Sequence, residues 1–240
     1  MINTVQSIPL FNLAIAFVPA FAVLLILAKW SLNASNALHA IIRMLIQLLI
    51  IGYFLTYIFE AKHAWVILFI LTAMVLASSW IALGTIKSIR YLLFKHAFLS
   101  IAFGGGITLA LITQGVLVLK PWYLPQLMIP LAGMIFANSM NSISLAAERL
   151  NAELERNVPY NEARNIALHA ALIPIINSLF AVGLVSLPGM MTGQILSGVS
   201  PLIAIRYQIM VMCMIFGSSG ISAACFLMLA KPVFEKSRSN

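Results

Sequence analysis

The stretch GMIFANSMNSISLAAERL, Gly133 to Leu150, changes character halfway along and decides how the rest of the chain is interpreted. It begins as an apolar run typical of a membrane helix, and it ends in the charged sequence ERL. Between the two parts lie amide and hydroxyl side chains, at Asn138, Ser139, Asn141, Ser142 and Ser144. Polar side chains at membrane depth usually face the interior of a helical bundle or a water-filled cavity. The stretch therefore predicts either hydrogen bonding between helices or a transport path.

The composition of the whole chain predicts an integral membrane protein. Of its 240 residues, 62% are hydrophobic and 8% are charged, and the mean hydropathy is +1.03. A soluble domain averages about 25% charged residues. A chain of this length leaves no room for a large soluble domain beside several spans, so we predict an all-α fold and a single membrane domain over residues 1–240. The net charge of +8 is interpreted as a signal of topology rather than of nucleic-acid binding.

Seven apolar runs are long enough to cross a bilayer, which requires about 20 helical residues. The predicted spans are residues 9–28, 38–59, 64–84, 97–119, 126–147, 166–187 and 202–230. The seventh is longer than a bilayer requires, which predicts either a tilted helix or a non-helical start.

The positive charges predict the orientation of these spans. With seven spans, one side of the membrane carries Lys29, Lys87, Arg90, Lys95, Arg149, Arg156, Arg164, Lys231, Lys236 and Arg238. The other side carries Lys62, Lys120 and Arg206. Because Lys and Arg are enriched in cytoplasmic loops, we expect the N-terminus outside and the C-terminus in the cytoplasm.

The main hydrophilic segment runs from about residue 148 to residue 165, between spans 5 and 6. We predict a short cytoplasmic helix here, in which Arg149 and Glu153 form an i,i+4 pair. Pro159 is expected to break that helix before span 6 begins.

Two further patterns concern the packing of helices and a possible substrate site. Gly133 and Ala137 form a small-xxx-small pair, which lets helix backbones approach closely. The segment from Leu184 to Pro201 contains Pro188 and several glycines near the end of a predicted span. Irregular backbone at membrane depth is tolerated only against protein or water, and broken helices often form the substrate sites of transporters. We expect a structured, re-entrant segment here, with an ordinary exterior loop as the alternative.

Two chemical motifs are better explained by packing. Met190 and Met191 would suit a soft metal such as Cu(I), but no His or Cys lies at ligand spacing, so gap filling is the better interpretation. The GSSG sequence, Gly217 to Gly220, fits the G-x-S-G of an intramembrane serine protease. All four histidines lie upstream of it, and no span follows to supply a base, so small residues for helix packing explain it better.

Two blocks of the sequence resemble a known family. They are IPLAGMIFANSMNSISLAAERL, Ile129 to Leu150, and the longer block from Ala171 to Val211. Together with RMLIQ, Arg43 to Gln47, and Gly52-Tyr53, they are similar to the signature regions of the FetB-type iron-export ABC transporter permeases. Plant relatives of that family are associated with aluminium tolerance. The resemblance covers most of the chain from Arg43 to Val211.

The resemblance implies a multi-pass permease of the cell inner membrane that exports a metal ion, with iron as the expected metal. It implies partnership with a separate ABC ATPase subunit, which holds ATP and Mg²⁺, and a homodimer of permeases. This chain contains no P-loop sequence of its own, so we expect it to bind no cofactor. The expected contacts with the ATPase are Glu148, Arg149, Glu153, Arg156 and Glu162.

The candidate transport path comprises Asn138, Asn141, Ser142, Asn177, Pro188, Gly189, Met190 and Met191. The sequence supplies no ligand set that identifies the metal. Two alternatives stay open: a secondary transporter or channel that needs no ATP, and an inactive paralogue, because the coupling segment is shorter than in relatives between Arg156 and Pro159. No Asp or Glu lies within a predicted span, which counts against proton-coupled transport.

Overall fold

A computed structural model of the chain describes residues 8–60 and 63–238, without the side chains of Thr56, Ser237 and Arg238. The N-terminus and Lys62, on which part of the predicted orientation depends, lie outside the described residues. The helices in chain order are α1 (Leu10–Ile15), α2 (Phe17–Lys29), α3 (Ala34–Phe59), α4 (Ala64–Ala82), α5 (Arg90–Ala110), α6 (Pro125–Glu155), α7 (Tyr160–Ala181), α8 (Gly189–Leu196), α9 (Pro201–Leu229) and α10 (Lys231–Arg238). A π-helical turn, Leu111–Val116, continues α5.

The prediction of an all-α membrane fold with seven spans is confirmed. Seven helical stretches in the described chain are long and apolar enough to cross a membrane: Leu10–Lys29, Ala34–Leu55, Ala64–Ala82, Arg90–Val116, Pro125–Glu155, Tyr160–Ala181 and Pro201–Leu229. The described residues form no β-strand, only an isolated bridge between Val182 and Ser186.

The ends of several helices differ from the prediction. The separate short helix expected after span 5 is wrong, because residues 148–155 are the last two turns of α6. This helix continues past the apolar run because it keeps a buried face, which includes Leu150 and Glu153. The non-helical start considered for span 7 is also wrong, since α9 is helical from Pro201. A proline is favourable at this first helical position, where no backbone donor is needed.

The described residues fall into two compact units, which divide between Glu60 and Ala61. The first contains α1, α2 and α3, and α2 contacts α3. Asn33 caps the start of α3 by accepting a hydrogen bond of 3.1 Å from the backbone N–H of Asn36. The prediction of a single domain over residues 1–240 stays a prediction.

The second unit is organised around α6, which packs against α4, α5, α7 and α9. Its core contains large side chains that are fully buried, among them Ile67, Leu93, Ile101, Ile135, Ile143, Leu150, Met214 and Phe226. The segment between α7 and α9 is structured rather than an ordinary loop, because it contains α8, which packs against α9. The turns on either side of α8 use Gly183 and Gly198 at φ values of +84° and +89°, which glycine adopts without strain.

Candidate functional site

A small polar pocket lies between α6, α7 and α9. It has a volume of about 100 Å³ and is lined by Asn138, Asn141, Ser142, Leu145, Ala171, Pro174, Ile175, Ser178 and Ser219. Three of the predicted path residues, Asn138, Asn141 and Ser142, are therefore brought together on one side of the same pocket. We call this site the polar pocket.

The α6 side chains in the polar pocket differ in their hydrogen bonding and in their exposure. The Nδ2 of Asn138 donates a hydrogen bond of 2.8 Å to the Met134 carbonyl one turn earlier, which fixes the half-buried amide on its own helix. Ser142 is buried, whereas Asn141 is exposed. The pocket thus presents amide and hydroxyl groups at different depths.

The α7 and α9 sides add two hydroxyls that sequence reasoning missed. The Oγ of Ser178 donates to the Pro174 carbonyl at 2.9 Å. Ser219 is 1% exposed, and its Oγ has no hydrogen-bond partner in the described protein. Buried polar groups are nearly always paired, so the Ser219 hydroxyl is an exception among the polar groups of this pocket. The only sequence signal for Ser219 was the GSSG sequence, which had been explained by helix packing.

Directly beside the polar pocket, three serines join α6 to α9. The Oγ of Ser139 donates to the Ser218 carbonyl at 3.3 Å, and the Oγ of Ser222 donates to the Oγ of Ser139 at 3.2 Å. We call these residues the serine cluster. The hydrogen bonding between helices that was one of the two predictions for the opening stretch is present at Ser139, whereas Asn138, Asn141 and Ser142 line a pocket and their place in a transport path stays a prediction.

The paired serines and the unpaired serine should respond oppositely to truncation. Ser139→Ala leaves the fully buried Ser222 hydroxyl without its acceptor, so we expect a loss of about 1–2 kcal/mol in the free energy of unfolding. Ser219→Ala removes a hydroxyl that already lacks a partner, so stability should stay unchanged or rise. Unfolding midpoints of the two variants in one detergent compare them directly. Equal destabilisation by both would mean that Ser219 is paired in the protein.

The predicted small-residue pair lies elsewhere on α6. A Cβ added to Gly133 would lie 3.6 Å from Met74 Cε on α4, which is an ordinary contact distance. Ala137 is exposed. The role of this pair in close helix packing stays a prediction.

We call the segment from Leu184 to Pro201 the broken segment. Its predicted path residues are not among those that line the polar pocket. Pro188 precedes α8, Gly189 is its first residue, and Met190 packs against the buried core. Met191 lines a second, larger cavity between α7, α8 and α9. Asn177 is exposed on α7, outside the residues that line either cavity.

The predicted coupling residues lie at the corner between α6 and α7. Glu153 is buried there, with its Oε1 2.5 Å from Nη2 of Arg149 and 3.8 Å from Nη1 of Arg156. The predicted pairing of Arg149 with Glu153 is confirmed. Glu148 and Glu162 are exposed, so they are the acids of this group that a partner protein can reach.

The corner itself is a tightly hydrogen-bonded helix end. The N–H of Asn157 donates to the Leu154 carbonyl at 3.0 Å, and the N–H of Val158 donates to the Glu153 carbonyl at 3.2 Å. Asn157 has a φ of +63°, so the turn has the bonding pattern of a Schellman motif, in which asparagine is tolerated. Pro159 follows as the residue before α7, so the predicted break before span 6 lies between Glu155 and Tyr160.

A tyrosine that sequence reasoning overlooked joins this corner to α9. The hydroxyl of Tyr160 donates to the Leu227 carbonyl, and Lys231 Nζ lies 5.6 Å from the centroid of the tyrosine ring. The residues that follow the break are thus held against the end of α9. A tyrosine after a proline break carries no sequence signal for such a long-range contact.

The donor chemistry of the site is neutral. The polar pocket is lined by amide, hydroxyl and apolar groups, with no ionisable side chain among its lining residues. Among the described residues, no group of three or more His, Cys, Asp or Glu side chains could hold a metal ion. The pocket can form hydrogen bonds and can offer oxygen atoms as ligands to a cation. Its lining contains no general acid or base and no group that would activate a serine as a nucleophile.

Fold and site together define a multi-pass helical membrane protein with a polar pocket among its long helices. The chain belongs to the uncharacterised protein family UPF0014, whose model matches residues 10–234. No solved structure matches the chain.

Curated relatives are similar over most of this chain. The probable iron export permease protein FetB of Escherichia coli (strain K12) is 35% identical over 239 residues, which cover 92% of this chain and 90% of that protein. The UPF0014 membrane protein slr1647 of Synechocystis is 36% identical over 195 residues, 75% of each chain. The protein ALUMINUM SENSITIVE 3 of Arabidopsis thaliana is 31% identical over 233 residues, 88% of this chain and 82% of that protein. The predicted resemblance to this family is confirmed.

Proposed function

We propose that the chain is the membrane permease subunit of an ABC transporter that exports a metal ion from the cytoplasm, with ATP hydrolysed by a separate subunit. The observation that carries the proposal is the similarity to the E. coli protein named a probable iron export permease, which extends over nine tenths of both chains. Iron is therefore the first metal to test. In this proposal the protein lies in the cell inner membrane as a homodimer, with its N-terminus outside and its C-terminus in the cytoplasm. ATP and Mg²⁺ belong to the ATPase subunit.

The polar pocket supports a transport path. Neutral amide and hydroxyl oxygens can replace part of the hydration shell of a cation without holding it as tightly as carboxylates do. Conduction requires binding that is favourable enough for entry and weak enough for release. Asn138, Asn141 and Ser142 with Ser178 and Ser219 meet that requirement better than a site with many charges.

The continuity of α6 supports mechanical coupling between an ATPase and the polar pocket. One helix contains both Ser142 in the pocket and Glu153 at the corner, and these residues are about 16 Å apart at 1.5 Å per residue. The salt bridges of Glu153 and the turn at Asn157 make the corner a firm end for this helix. A displacement of the corner by a partner is therefore passed along α6 to the pocket.

The proposal is tested by purifying the chain with a candidate ATPase subunit and measuring complex formation and iron-stimulated ATP hydrolysis. Glu148→Arg and Glu162→Arg reverse exposed charges at the corner, so we expect each to weaken the complex at least tenfold. Glu60→Arg is the matched control, because it makes the same change at an exposed acid that is predicted to lie on the opposite side of the membrane.

The possible results separate the two kinds of transporter. A complex that tolerates Glu60→Arg but loses affinity with the two corner variants supports the permease. Metal transport by liposomes that contain this chain alone, without ATP, would instead support a secondary transporter or channel. ATP hydrolysis that responds to other metals but not to iron would support the permease function and exclude iron as the substrate.

A further inference from the structure

A second cavity, of about 570 Å³, lies between the end of α7, the segment before α8, and α9. It is lined by Leu179, Val182, Gly183, Leu187, Met191, Ile205, Gln208, Ile209, Met212 and Cys213. We call it the apolar cavity, because Gln208 is the only amide and no charged side chain lines it. Its volume lies within the range of about 300–1,000 Å³ that is typical of sites for small molecules.

Gln208 is the unusual residue of the apolar cavity. It is 6% exposed, and its Oε1 atom is buried without a hydrogen-bond partner in the described protein. Burying such an acceptor unpaired in apolar surroundings is unfavourable, and the surrounding hydrocarbon and sulfur side chains offer it no strong donor. Because Gln208 lines the cavity, a small rotation of its amide brings this oxygen within reach of a donor on a molecule that enters the cavity.

The mouth of the apolar cavity indicates where that molecule comes from. Leu187 and Ile209 line the cavity and are 65% and 59% exposed, and Cys213 is exposed as well. Ile209 and Cys213 lie within α9, a helix long and apolar enough to cross the membrane. The exposed lining residues at this mouth are apolar or a thiol, which favours entry from the hydrocarbon of a bilayer.

We propose that the apolar cavity binds an uncharged amphiphile from the bilayer, whose hydroxyl forms a hydrogen bond with the Gln208 amide and whose hydrocarbon chain fills the space beside Met191 and Met212. This site is separate from the polar pocket, and its occupancy does not depend on the transport function proposed above. Met191, a predicted path residue, contributes to a lipid-phase site on this assignment.

Two native cysteines provide the test and its internal control. Cys213 lines the apolar cavity, whereas Cys225 lines a different apolar depression with Leu99 and Phe103. The full chain is placed in lipid nanodiscs at one copy per disc, and alkylation of each cysteine by N-ethylmaleimide is followed by peptide mass spectrometry. The probes are hexadecan-1-ol and hexadecane at matched mole fractions in the lipid, since they differ only in the hydroxyl.

We expect hexadecan-1-ol to slow alkylation of Cys213 at a mole fraction roughly threefold to tenfold lower than hexadecane requires, which is the range of one net hydrogen bond. Cys225 should react at an unchanged rate. Gln208→Leu keeps the approximate size of the side chain and removes the acceptor, so the two probes should become equal in that variant. The wild-type comparison of alcohol with alkane needs no variant, so it stands even if Gln208→Leu folds poorly.

Three results would overturn the assignment. The first is equal protection by alcohol and alkane in the wild-type chain, and the second is equal slowing of both cysteines, which would indicate a general effect on the membrane. The third is protection of Cys213 that appears without a probe and only with two copies per disc, because a second chain would then cover the cavity.

Discussion

Replacing Gly104 by alanine is expected to destabilise the protein by about 3 kcal/mol, the upper part of the usual cost of overpacking. A Cβ at this position would lie 2.5 Å from Ser222 Oγ, 2.8 Å from Ser222 N and 3.1 Å from Ser222 Cα. Two of these three atoms belong to the backbone of α9, so a rotamer change cannot relieve the clash. The helices α5 and α9 must separate, and the serine cluster is broken as a result. The unfolding midpoint should fall by roughly 6–12 °C for a chain of this length.

The adjacent glycines supply matched controls for this substitution. A Cβ on Gly106 meets nothing within 4 Å, so Gly106→Ala should be neutral or stabilising by up to about 1 kcal/mol through helix propensity. Gly105→Ala meets Phe136 side-chain atoms at 2.9 Å, which can shift, so its cost should be intermediate. Adding Ser222→Gly to Gly104→Ala removes the hydroxyl but leaves the backbone contact, so it should restore less than half of the loss. If Gly104→Ala and Gly106→Ala unfold at the same temperature, α5 and α9 do not approach this closely.

The number of long helices followed from the sequence because length and hydropathy alone determine whether a helix can cross a bilayer. Their ends did not follow, because a helix continues for as long as its backbone bonds and one buried face persist. In α6 the apolar face continues through Leu150, and Glu153 is stabilised by Arg149 after the hydrophobic run has ended. The true end was nevertheless encoded, since Asn157 followed by Pro159 is a recognisable stop signal.

Only the α6 side of the polar pocket could be predicted, because only α6 has a sequence signal strong enough to be noticed. Asn138, Asn141 and Ser142 are conspicuous because several polar side chains interrupt one apolar helix. Ser178 and Ser219 are single serines on α7 and α9, and one serine in an apolar helix usually bonds to its own backbone. Only the packing of three helices shows that these hydroxyls share a pocket, and only burial shows that Ser219 lacks a partner.

For the broken segment, the sequence predicted the local structure but not its position relative to the polar pocket. Pro188 and Gly189 correctly marked a structured break, because Pro188 is the residue immediately before the new helix α8, whereas α7 has already ended at Ala181. Their distance from Asn138 could not be predicted, since no local pattern states which helices enclose a cavity. The predicted path residues that line a cavity are therefore divided between two cavities of different polarity, with Asn138, Asn141 and Ser142 in one and Met191 in the other.

If the chain is the metal-exporting permease proposed above, replacing Ser178 by leucine is expected to reduce metal transport at least tenfold while the protein stays folded. Ser178 is exposed on α7 and its hydroxyl bonds only to the Pro174 carbonyl of its own helix, so its removal costs little stability. The larger leucine side chain, however, would occupy much of a pocket of about 100 Å³ and replace oxygen donors by hydrocarbon. Transport is measured as ATP-dependent iron movement in vesicles that contain the chain together with the ATPase subunit identified by the complex-formation experiment.

Ser197→Leu is the matched control, because Ser197 is also exposed and its hydroxyl also donates to a carbonyl four residues earlier, that of Gly193 at 2.8 Å. Ser197 follows α8 and lies outside the lining of the polar pocket, so its replacement should leave transport within about twofold of wild type. Both variants add the same hydrocarbon to an exposed serine, so a difference between them reports the pocket rather than general hydrophobicity. If Ser178→Leu transports iron as well as Ser197→Leu does, the solute does not pass through the polar pocket. The path must then be sought elsewhere on the described helices, outside the residues that line the polar pocket.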